Sequence, residues 1–225
     1  MSSLETSPTL VEPGEEYRPG SIVLFVTLVR YAVERARQRV VYSIARAETS
    51  RLRRDPAKIV RALRDAKQVL IVCHGNIIRS AFAARLMAQT LDRGRVRVVS
   101  AGVEATPGRP PHPIALRIAA RHRVDLSRHA ASRVSADEIR ASDVVFAVDV
   151  PQFVALRTRF PDARDKIFLL TSLAPRTPLE IADPIFGDDH AFETCFAHIT
   201  QAVDPIGRVI AGPVASDEWS GGCAR

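Results

Sequence analysis

The sequence feature that most constrains the fold is a short apolar run followed at once by a glycine-containing loop and a helix-forming segment. Residues 68–72 are rich in β-branched side chains and are typical of a buried strand. Residues 80–91 contain strong helix formers, with apolar residues at helical spacing. A loop between a strand and a helix can direct successive backbone N–H groups at one point, where the helix N-terminus adds positive potential. The stretch therefore predicts an anion-binding site.

The loop carries groups that are suited to phosphate chemistry. It consists of Cys73, His74, Gly75, Asn76, Ile77, Ile78, Arg79 and Ser80. The field that attracts a phosphate dianion also favours the thiolate of Cys73, which is the nucleophilic form of cysteine. Arg79 can offer a planar pair of donors to two phosphate oxygens. Gly75 and Asn76 are residue types that tolerate left-handed backbone in a tight loop. The residues predict a phosphate-binding thiol site, with a buried structural cysteine and a solvated arginine as the alternative.

From residue 68 onward, predicted strands alternate with predicted helices. The strands are residues 68–72, 95–100, 143–148 and 166–170, and the helices are residues 80–91, 113–122, 135–141, 150–160 and 188–202. This alternation predicts an α/β fold with a small parallel four-stranded sheet and helices on both faces. Ligands bind outside the carboxyl ends of the strands in such sheets. Cys73 lies at one such end and Asp183 lies beyond another, so the two can meet in space.

The residues before the sheet predict a separate N-terminal region. Residues 1–20 lack apolar periodicity and predict a flexible arm that does not resemble a secretory leader. Residues 21–66 predict a helical appendage, in which Asp55 and Pro56 begin a second, short helix. Its most apolar part is about a dozen residues, whereas a spanning helix needs roughly twenty. We therefore expect this region to pack on the rest of the chain, to form a homodimer or to contact a membrane surface.

Charge and cysteine content bound the function classes. Residues 30–67 carry twelve basic and four acidic residues, so most of the net charge of +7 belongs to the appendage. The high pI therefore does not predict a nucleic-acid partner for the sheet-forming residues 67–212. Three cysteines without paired spacing argue against a disulfide framework or a zinc site, and we expect no cofactor and a reducing, cytoplasmic location. Residues 213–225 predict a disordered tail.

Four further motifs follow the loop in order along the chain. They are Ser100-Ala101-Gly102, Asp125-Leu126-Ser127-Arg128-His129, Ala147-Val148-Asp149, and Asp183-Pro184-Ile185-Phe186-Gly187-Asp188-Asp189. Together with the loop, they resemble the low-molecular-weight protein tyrosine phosphatase family over about residues 67–212. The resemblance implies phosphomonoester hydrolysis through a phosphocysteine intermediate, with a phosphorylated protein or a small phosphomonoester as substrate.

The resemblance also implies roles for individual residues. Cys73 would be the nucleophile, and Arg79 with the loop amides of residues 74–79 would bind the phosphate oxygens. Asp183 would be the general acid that protonates the leaving oxygen. Ser80 resembles the serine that hydrogen-bonds the thiolate in this family. Asp204, which also precedes a proline, is a competitor for the acid role, but no aromatic, glycine and acidic residues follow it.

Several positions depart from the family pattern. Many members carry a second cysteine just before the arginine, where this chain has Ile78. Members acting on phosphotyrosine usually have an aromatic residue directly after Asp-Pro, where this chain has Ile185 followed by Phe186, the two residues that would form the substrate wall. Residues 103–108 contain no aromatic side chain that could form another wall. Ile77 occupies the place where members selecting phosphoarginine tend to have threonine, which favours other substrates.

Two alternative functions remain open from the sequence. An arsenate reductase of the same fold needs further cysteines near the site, and Cys195 and Cys223 lack the spacing for this. We expect Cys195 to be a buried core thiol and Cys223 to be inert. A catalytically idle phosphate-binding or interaction module, anchored through residues 21–66, is the alternative from another class.

Overall fold

The computed structural model describes residues 19–91 and 96–212, and these fall into two units that divide between Val40 and Val41. In the first unit, residues 19–40 are helical, and apolar side chains such as Leu24, Leu28 and Val33 are exposed. The predicted tail and residues 1–18 of the predicted arm lie outside the described residues. No helix in the described ranges is long and apolar enough to span a bilayer.

Helices and strands alternate along the described chain as the sequence predicts. The elements are α1 Pro19–Arg54, α2 Ala57–Arg64, β1 Gln68–Cys73, α3 Arg79–Thr90, β2 Arg97–Gly102, α4 Pro113–Arg121, α5 Ala136–Ala141, β3 Val144–Ala147, α6 Val150–Arg159, β4 Ile167–Leu169 and α7 Asp189–Ala211. Short 3-10 helices at Pro161–Lys166 and Leu170–Leu173 flank β4. Local chemistry explains several starts, since Asp149 caps α6 and a Ser135–Glu138 capping box opens α5.

The sheet has four parallel strands in the order β2-β1-β3-β4, which confirms the predicted fold class. From Val69 onward the residues of β1 are buried, and they alternate between two cores: Val69 and Ile71 join one cluster, whereas Leu70 and Val72 join the other. Helices α2, α3, α4 and α7 cover the first face, and α5, α6 and residues from Val41 onward in α1 cover the second. Because both faces are buried, the carboxyl edge is left for the site.

Several boundaries differ from the predicted ones, and three of the differences have a clear physical reason. Strand β2 ends two residues later than predicted, because it pairs with β1 as far as Gly102. Helix α2 has Pro56 as its N-cap, while Asp55 accepts a hydrogen bond from the following backbone rather than capping it. Helix α7 continues through Pro205 to Ala211, because buried residues continue along its core face beyond the proline.

Candidate active site

The loop between β1 and α3 has a single left-handed residue. Asn76 has φ of 55°, whereas Gly75 does not adopt positive φ. Asparagine tolerates this backbone better than most residues, because its short polar side chain can hydrogen-bond locally. The turn that aims the loop inward therefore depends on Asn76.

The buried side chain and carbonyl of Asn76 fix the loop from several directions. Its Nδ2 donates to the Ser80 hydroxyl at 2.9 Å and to the Ser100 hydroxyl at 3.0 Å. Its Oδ1 accepts from the backbone N–H of Ser132 at 2.9 Å. The imidazole Nε2 of His129 lies 2.7 Å from its backbone oxygen. These contacts bring two distant segments, β2 and residues 129–132, onto the loop and hold one conformation.

Gly102, at the end of β2, permits the loop to lie close against the sheet. A Cβ at this position would lie 2.5 Å from the backbone oxygen of His74 and 2.9 Å from the backbone nitrogen of Asn76. Real Cβ atoms do not approach backbone this closely, and the backbone on both sides leaves no room to move. The backbone N–H of Glu104, two residues later, donates a hydrogen bond to the backbone oxygen of His74 at 3.0 Å.

The sulfur of Cys73 is surrounded by polar groups on its inner side. It accepts a hydrogen bond from the backbone N–H of Asn76 at 3.2 Å, and the Ser80 hydroxyl lies 3.0 Å away. The residue is 3% exposed and lines the cleft described below. The two polar contacts fix the sulfur from its inner side while the residue lines the cleft, an arrangement that suits a nucleophile.

Arg79 connects the loop to two carboxylates. Its Nη1 donates to Asp149 at 2.7 Å and to the backbone oxygen of Ile181 at 3.1 Å, and its Nη2 donates to Asp183. Burial alone would lower the pKa of Arg79, but nearby Cys73, Asp183 and Asp149 outweigh it and raise that pKa. The guanidinium is therefore a permanent, oriented cation at the centre of the site.

Asp149 is the inner of the two carboxylates. One of its oxygens caps α6 by accepting from the backbone N–H of Gln152 at 3.0 Å, and the other meets Arg79. Burial raises the pKa of Asp149, and this effect exceeds the opposing influence of Gln152 and Arg79. Asp149 thus orients the guanidinium from behind, whereas Asp183 meets it from the solvent side, where its side chain is 34% exposed.

These groups border a cleft of about 270 Å³ at the carboxyl edge of the sheet. Its lining residues are Cys73, His74, Gly75, Ile77, Ile78, Arg79, Glu104, Thr106, Arg109, Asp183, Ile185 and Phe186. The structure therefore brings the predicted nucleophile, arginine, acid and wall residues to one cleft. Asn76 and Ser80 lie behind it and act through Cys73 and the loop. The competing Asp204 lies within α7 and does not line the cleft.

Sequence reasoning missed several residues that shape the site. His129, Ser100 and Asp149 lie within motifs that carried the resemblance, and that position was the signal that could have identified them. Ser132 contributes only its backbone N–H, so no side-chain pattern could have pointed to it. The rim residue Arg109 had no such signal either.

The comparisons define the class of protein that this fold and site form. Residues 68–210 match the family model described as low molecular weight phosphotyrosine protein phosphatase. The chain belongs to this family, and it is a phosphatase, a hydrolase of phosphorylated substrates.

Individual proteins named as low molecular weight protein-tyrosine-phosphatases are similar to this chain in sequence. The chain is 33% identical over 138 residues to the "probable low molecular weight protein-tyrosine-phosphatase EpsP" of Ralstonia nicotianae, covering 61% of this chain and 92% of that protein. It is 31% identical over 134 residues to the low molecular weight protein-tyrosine-phosphatase Etp of Escherichia coli, covering 60% and 88%.

Solved structures are similar over the same share of the chain. The tyrosine phosphatase AmsI of Erwinia amylovora superposes with a TM-score of 0.59 at 28% identity, covering 63% of this chain and 91% of that one. The arginine phosphatase YwlE of Geobacillus stearothermophilus gives a TM-score of 0.59 at 28% identity, covering 63% and 90%.

Proposed function

We propose that this phosphatase hydrolyses phosphotyrosine in proteins in two steps, through a phosphocysteine on Cys73. The observation that carries the proposal is that the Cys73 sulfur, the Arg79 guanidinium and the Asp183 carboxyl group line one cleft. Nucleophile, cation and acid are the three parts that phosphoryl transfer through a covalent intermediate requires.

In the first step, the Cys73 thiolate attacks phosphorus in line with the leaving oxygen. The S–P bond forms as the P–O bond to the leaving group breaks, and Asp183 transfers its proton to the departing oxygen. The loop amides and Arg79 hold the three equatorial oxygens, on which the negative charge is spread.

In the second step, a water molecule attacks the phosphocysteine. The Asp183 carboxylate accepts a proton from the water, the new P–O bond forms and the S–P bond breaks. Inorganic phosphate and the Cys73 thiolate are released, and Asp183 is protonated again for the next cycle.

The ion pair between Arg79 and Asp183 has to open when substrate binds. An incoming phosphate dianion competes for the same donors of Arg79. Once Arg79 turns to the phosphate, the Asp183 carboxyl group can face the leaving oxygen.

The proposed preference for an aryl phosphate is supported by the walls of the cleft and by the relatives. Ile185 packs on the core beside the cleft, and Phe186 stands at the rim with 99% of its surface exposed. An aromatic ring can stack on Phe186, whereas Ile77 offers no polar group to a guanidinium. The relatives EpsP and Etp are named protein-tyrosine-phosphatases, although YwlE is named an arginine phosphatase.

The test compares the wild type with Cys73→Ser and Asp183→Asn on p-nitrophenyl phosphate, phosphotyrosine peptides, phosphoserine peptides and phosphoarginine. We expect the wild type to prefer phosphotyrosine and Cys73→Ser to show no turnover. A ³²P-labelled phosphocysteine should be trapped on quenching of the wild type and of Asp183→Asn, both of which keep the Cys73 sulfur, but not of Cys73→Ser. Equal rates on phosphoarginine, or turnover by Cys73→Ser, would refute the proposal.

Arsenate reduction has less support as a second activity. Cys195, the other cysteine among the described residues, is 4% exposed, and burial raises its pKa to about 12. Such a thiol stays protonated and cannot readily attack an adduct on Cys73. Arsenate-dependent oxidation of thioredoxin by the purified protein would reverse this conclusion.

For residues 21–66 we propose a homodimer contact. The support is the set of exposed apolar side chains on α1, among them Leu24, Leu28 and Tyr31, which a second copy could cover. Mass in solution should correspond to two chains for the wild type and to one chain for Leu28→Glu. Binding to anionic vesicles by a monomeric wild type would favour a membrane contact instead.

A further inference from the structure

The residues before the proposed general acid are held by the last part of α1, residues 41–54. Arg53 Nη2 donates to the backbone oxygen of Thr177 at 2.7 Å and to its hydroxyl at 2.9 Å, and it also donates to the backbone oxygen of Ala174. These acceptors are all neutral, so the contact fixes the path of the backbone rather than balancing a charge.

Glu180 is the second point of attachment. Its Oε1 accepts from the Tyr42 hydroxyl and from Arg46 Nη1 at 2.9 Å, and its Oε2 accepts from the backbone N–H of Val150 at 3.2 Å. The hydrogen bond to Glu180 raises the pKa of Tyr42, so the phenol keeps its proton and remains a donor at neutral pH. Glu180 therefore joins α1 to the N-terminus of α6.

The three donors lie on one face of α1. Tyr42 and Arg46 are four residues apart, and Arg53 follows seven residues later, which are spacings that align side chains along a helix. The family match begins at residue 68, so all three donors lie outside the part of the chain that it covers. This attachment is therefore a feature added to the phosphatase fold.

Residues 174–180, which α1 holds in place, lead directly into the active site. Ile181 follows Glu180, and its backbone N–H donates to Val148 at 3.1 Å while its backbone oxygen accepts from Arg79 at 3.1 Å. Asp183 comes two residues later and pairs with the same arginine. Only two residues separate Glu180 from Asp183, so a displacement of Glu180 has a short stretch of chain in which to be absorbed before it reaches Asp183.

We propose that residues 41–54 of α1 position the general acid, with Tyr42, Arg46 and Arg53 as positioning residues that act through Glu180 and Thr177. The inference rests on the proposed role of Asp183. A general acid must reach the leaving oxygen within about 2.6–3.2 Å, so a small shift of its segment weakens proton transfer. The phosphate loop is held by contacts of Asn76 that do not involve Glu180, so binding at Cys73 and the loop amides should change little.

The experiment measures kcat/KM for a series of aryl phosphates whose leaving phenols differ in basicity. Proton donation matters most for basic leaving groups, so Glu180→Gln should lower kcat/KM for phenyl phosphate about tenfold. The loss with p-nitrophenyl phosphate should be less than about threefold, because this leaving group needs little protonation. Tyr42→Phe should shift the dependence in the same direction by a smaller factor.

Glu48→Gln is the matched control. Glu48 lies on the same stretch of α1 and pairs with Arg157 of α6 at 2.6 Å, without contacting residues 174–181. The Glu48→Gln substitution should leave the dependence of kcat/KM on leaving-group basicity unchanged. A steeper dependence in Glu48→Gln as well would mean that α1 acts through general stability, and the inference would fail.

Asp183→Asn is the reference that separates this inference from the proposed function. If Asp183→Asn does not steepen the leaving-group dependence, the acid role itself is wrong. If Asp183→Asn steepens it while Glu180→Gln and Tyr42→Phe match the wild type, Asp183 is the acid but α1 does not position it.

Discussion

The two sides of the cleft are built in opposite ways. The phosphate loop, residues 73–80, is almost entirely buried, and Asn76 alone ties it to the segments that carry Ser100, His129 and Ser132. On the other side, the acid segment, residues 181–187, is largely exposed, and Asp183 meets the protein through Arg79. One side is fixed by many neutral hydrogen bonds, whereas the other is held by the backbone hydrogen bonds of Ile181 and, at Asp183 itself, by one ion pair.

The difference follows from what each side has to do. Donors that stabilise charge in a transition state are effective when they are already oriented, so a rigid loop is an advantage. The acid has to exchange protons with water and let the product leave, and an exposed segment allows both. Substitutions in the loop should therefore reduce activity and stability together, whereas substitutions in the acid segment should reduce activity alone.

The largest effect is expected for Gly102→Ala. The new Cβ would collide with the backbone at His74 and Asn76, which would push the loop away from its position. Displacement of reacting groups by about 1 Å can lower the rate of a reaction roughly 100-fold. We therefore expect kcat/KM to fall by about that factor, and the unfolding midpoint to fall as well. Steady-state kinetics and thermal unfolding measure the two effects.

Gly207→Ala is the control for this substitution. Gly207 lies inside α7, and its added Cβ would meet only the Thr90 hydroxyl at an ordinary 3.5 Å. Alanine should stabilise the helix by about 0.5–1 kcal/mol and leave kcat/KM unchanged. Full activity in Gly102→Ala would show that the loop is not rigid.

The next largest effect is expected for Asn76→Ala. The substitution removes two donors and one acceptor, and it leaves the partly buried N–H of Ser132 without its partner. Each unsatisfied buried group costs about 1–3 kcal/mol, so chemical denaturation should show a total loss of about 2–4 kcal/mol. We expect kcat/KM to fall by about tenfold, since the Cys73 sulfur also loses its fixed surroundings.

Asp183→Asn gives the contrast with Asn76→Ala. Its side chain is partly exposed, the amide oxygen of Asn can still accept from Arg79, and Arg79 keeps Asp149 as a charged partner, so the unfolding free energy should stay within about 0.5 kcal/mol of the wild type. A stability loss in Asp183→Asn as large as that in Asn76→Ala would remove the distinction between the two sides of the cleft.

The phosphate-loop side of the cleft could be predicted from the sequence more fully than the acid side, for a physical reason. The loop is contiguous, so strand, turn and helix preferences act within a dozen residues, and Cys73 and Arg79 could be placed from them. Asp183 could be brought to the same edge only because parallel strands share their carboxyl ends. The pairing of Arg79 with Asp149, and the contact of Glu180 with Tyr42, depend on tertiary packing that no local pattern records.

The same limit applies to element boundaries. The last predicted helix ends at residue 202, yet α7 continues past Pro205 to Ala211 because Ile206 and Ile210 are buried in the core. The division into an arm, an appendage, a phosphatase domain and a tail stays a prediction. The exposed part of α1 before Val41 forms its own unit in the described chain.

A smaller effect is expected for Phe186→Ala at the rim. The ring is 99% exposed, so its removal should not change the unfolding midpoint. Aromatic pairs contribute about 0.5–1.5 kcal/mol beyond area burial, which corresponds to a rise of roughly 2–10-fold in KM for a phosphotyrosine peptide. A non-aromatic phosphomonoester should show no change in KM, and an equal rise for both substrates would argue against stacking.

The smallest effect is expected for Asp143→Asn. Asp143 lies at the opposite edge of the sheet, away from both sides of the cleft. Its carboxylate accepts from the backbone N–H groups of Lys67 at 2.7 Å and Gln68 at 2.9 Å. Burial raises the pKa of Asp143, but these hydrogen bonds and the charge of Lys166 outweigh it and lower that pKa below its usual value. A lowered pKa means that the folded state favours the ionised carboxylate.

The stabilisation by Asp143 is therefore complete above the unfolded pKa of about 3.9, and it is lost as the pH falls through the lower folded-state pKa. Asp143→Asn should cost about 1 kcal/mol at neutral pH, a value reduced from that of a buried charged hydrogen bond because the carboxylate is exposed. Urea unfolding at pH 7 and near pH 3 should show the difference shrinking on acidification, with kcat/KM unchanged at pH 7. If activity fell in proportion to this loss of stability, the activity losses expected for the loop variants could no longer be attributed to the geometry of the cleft.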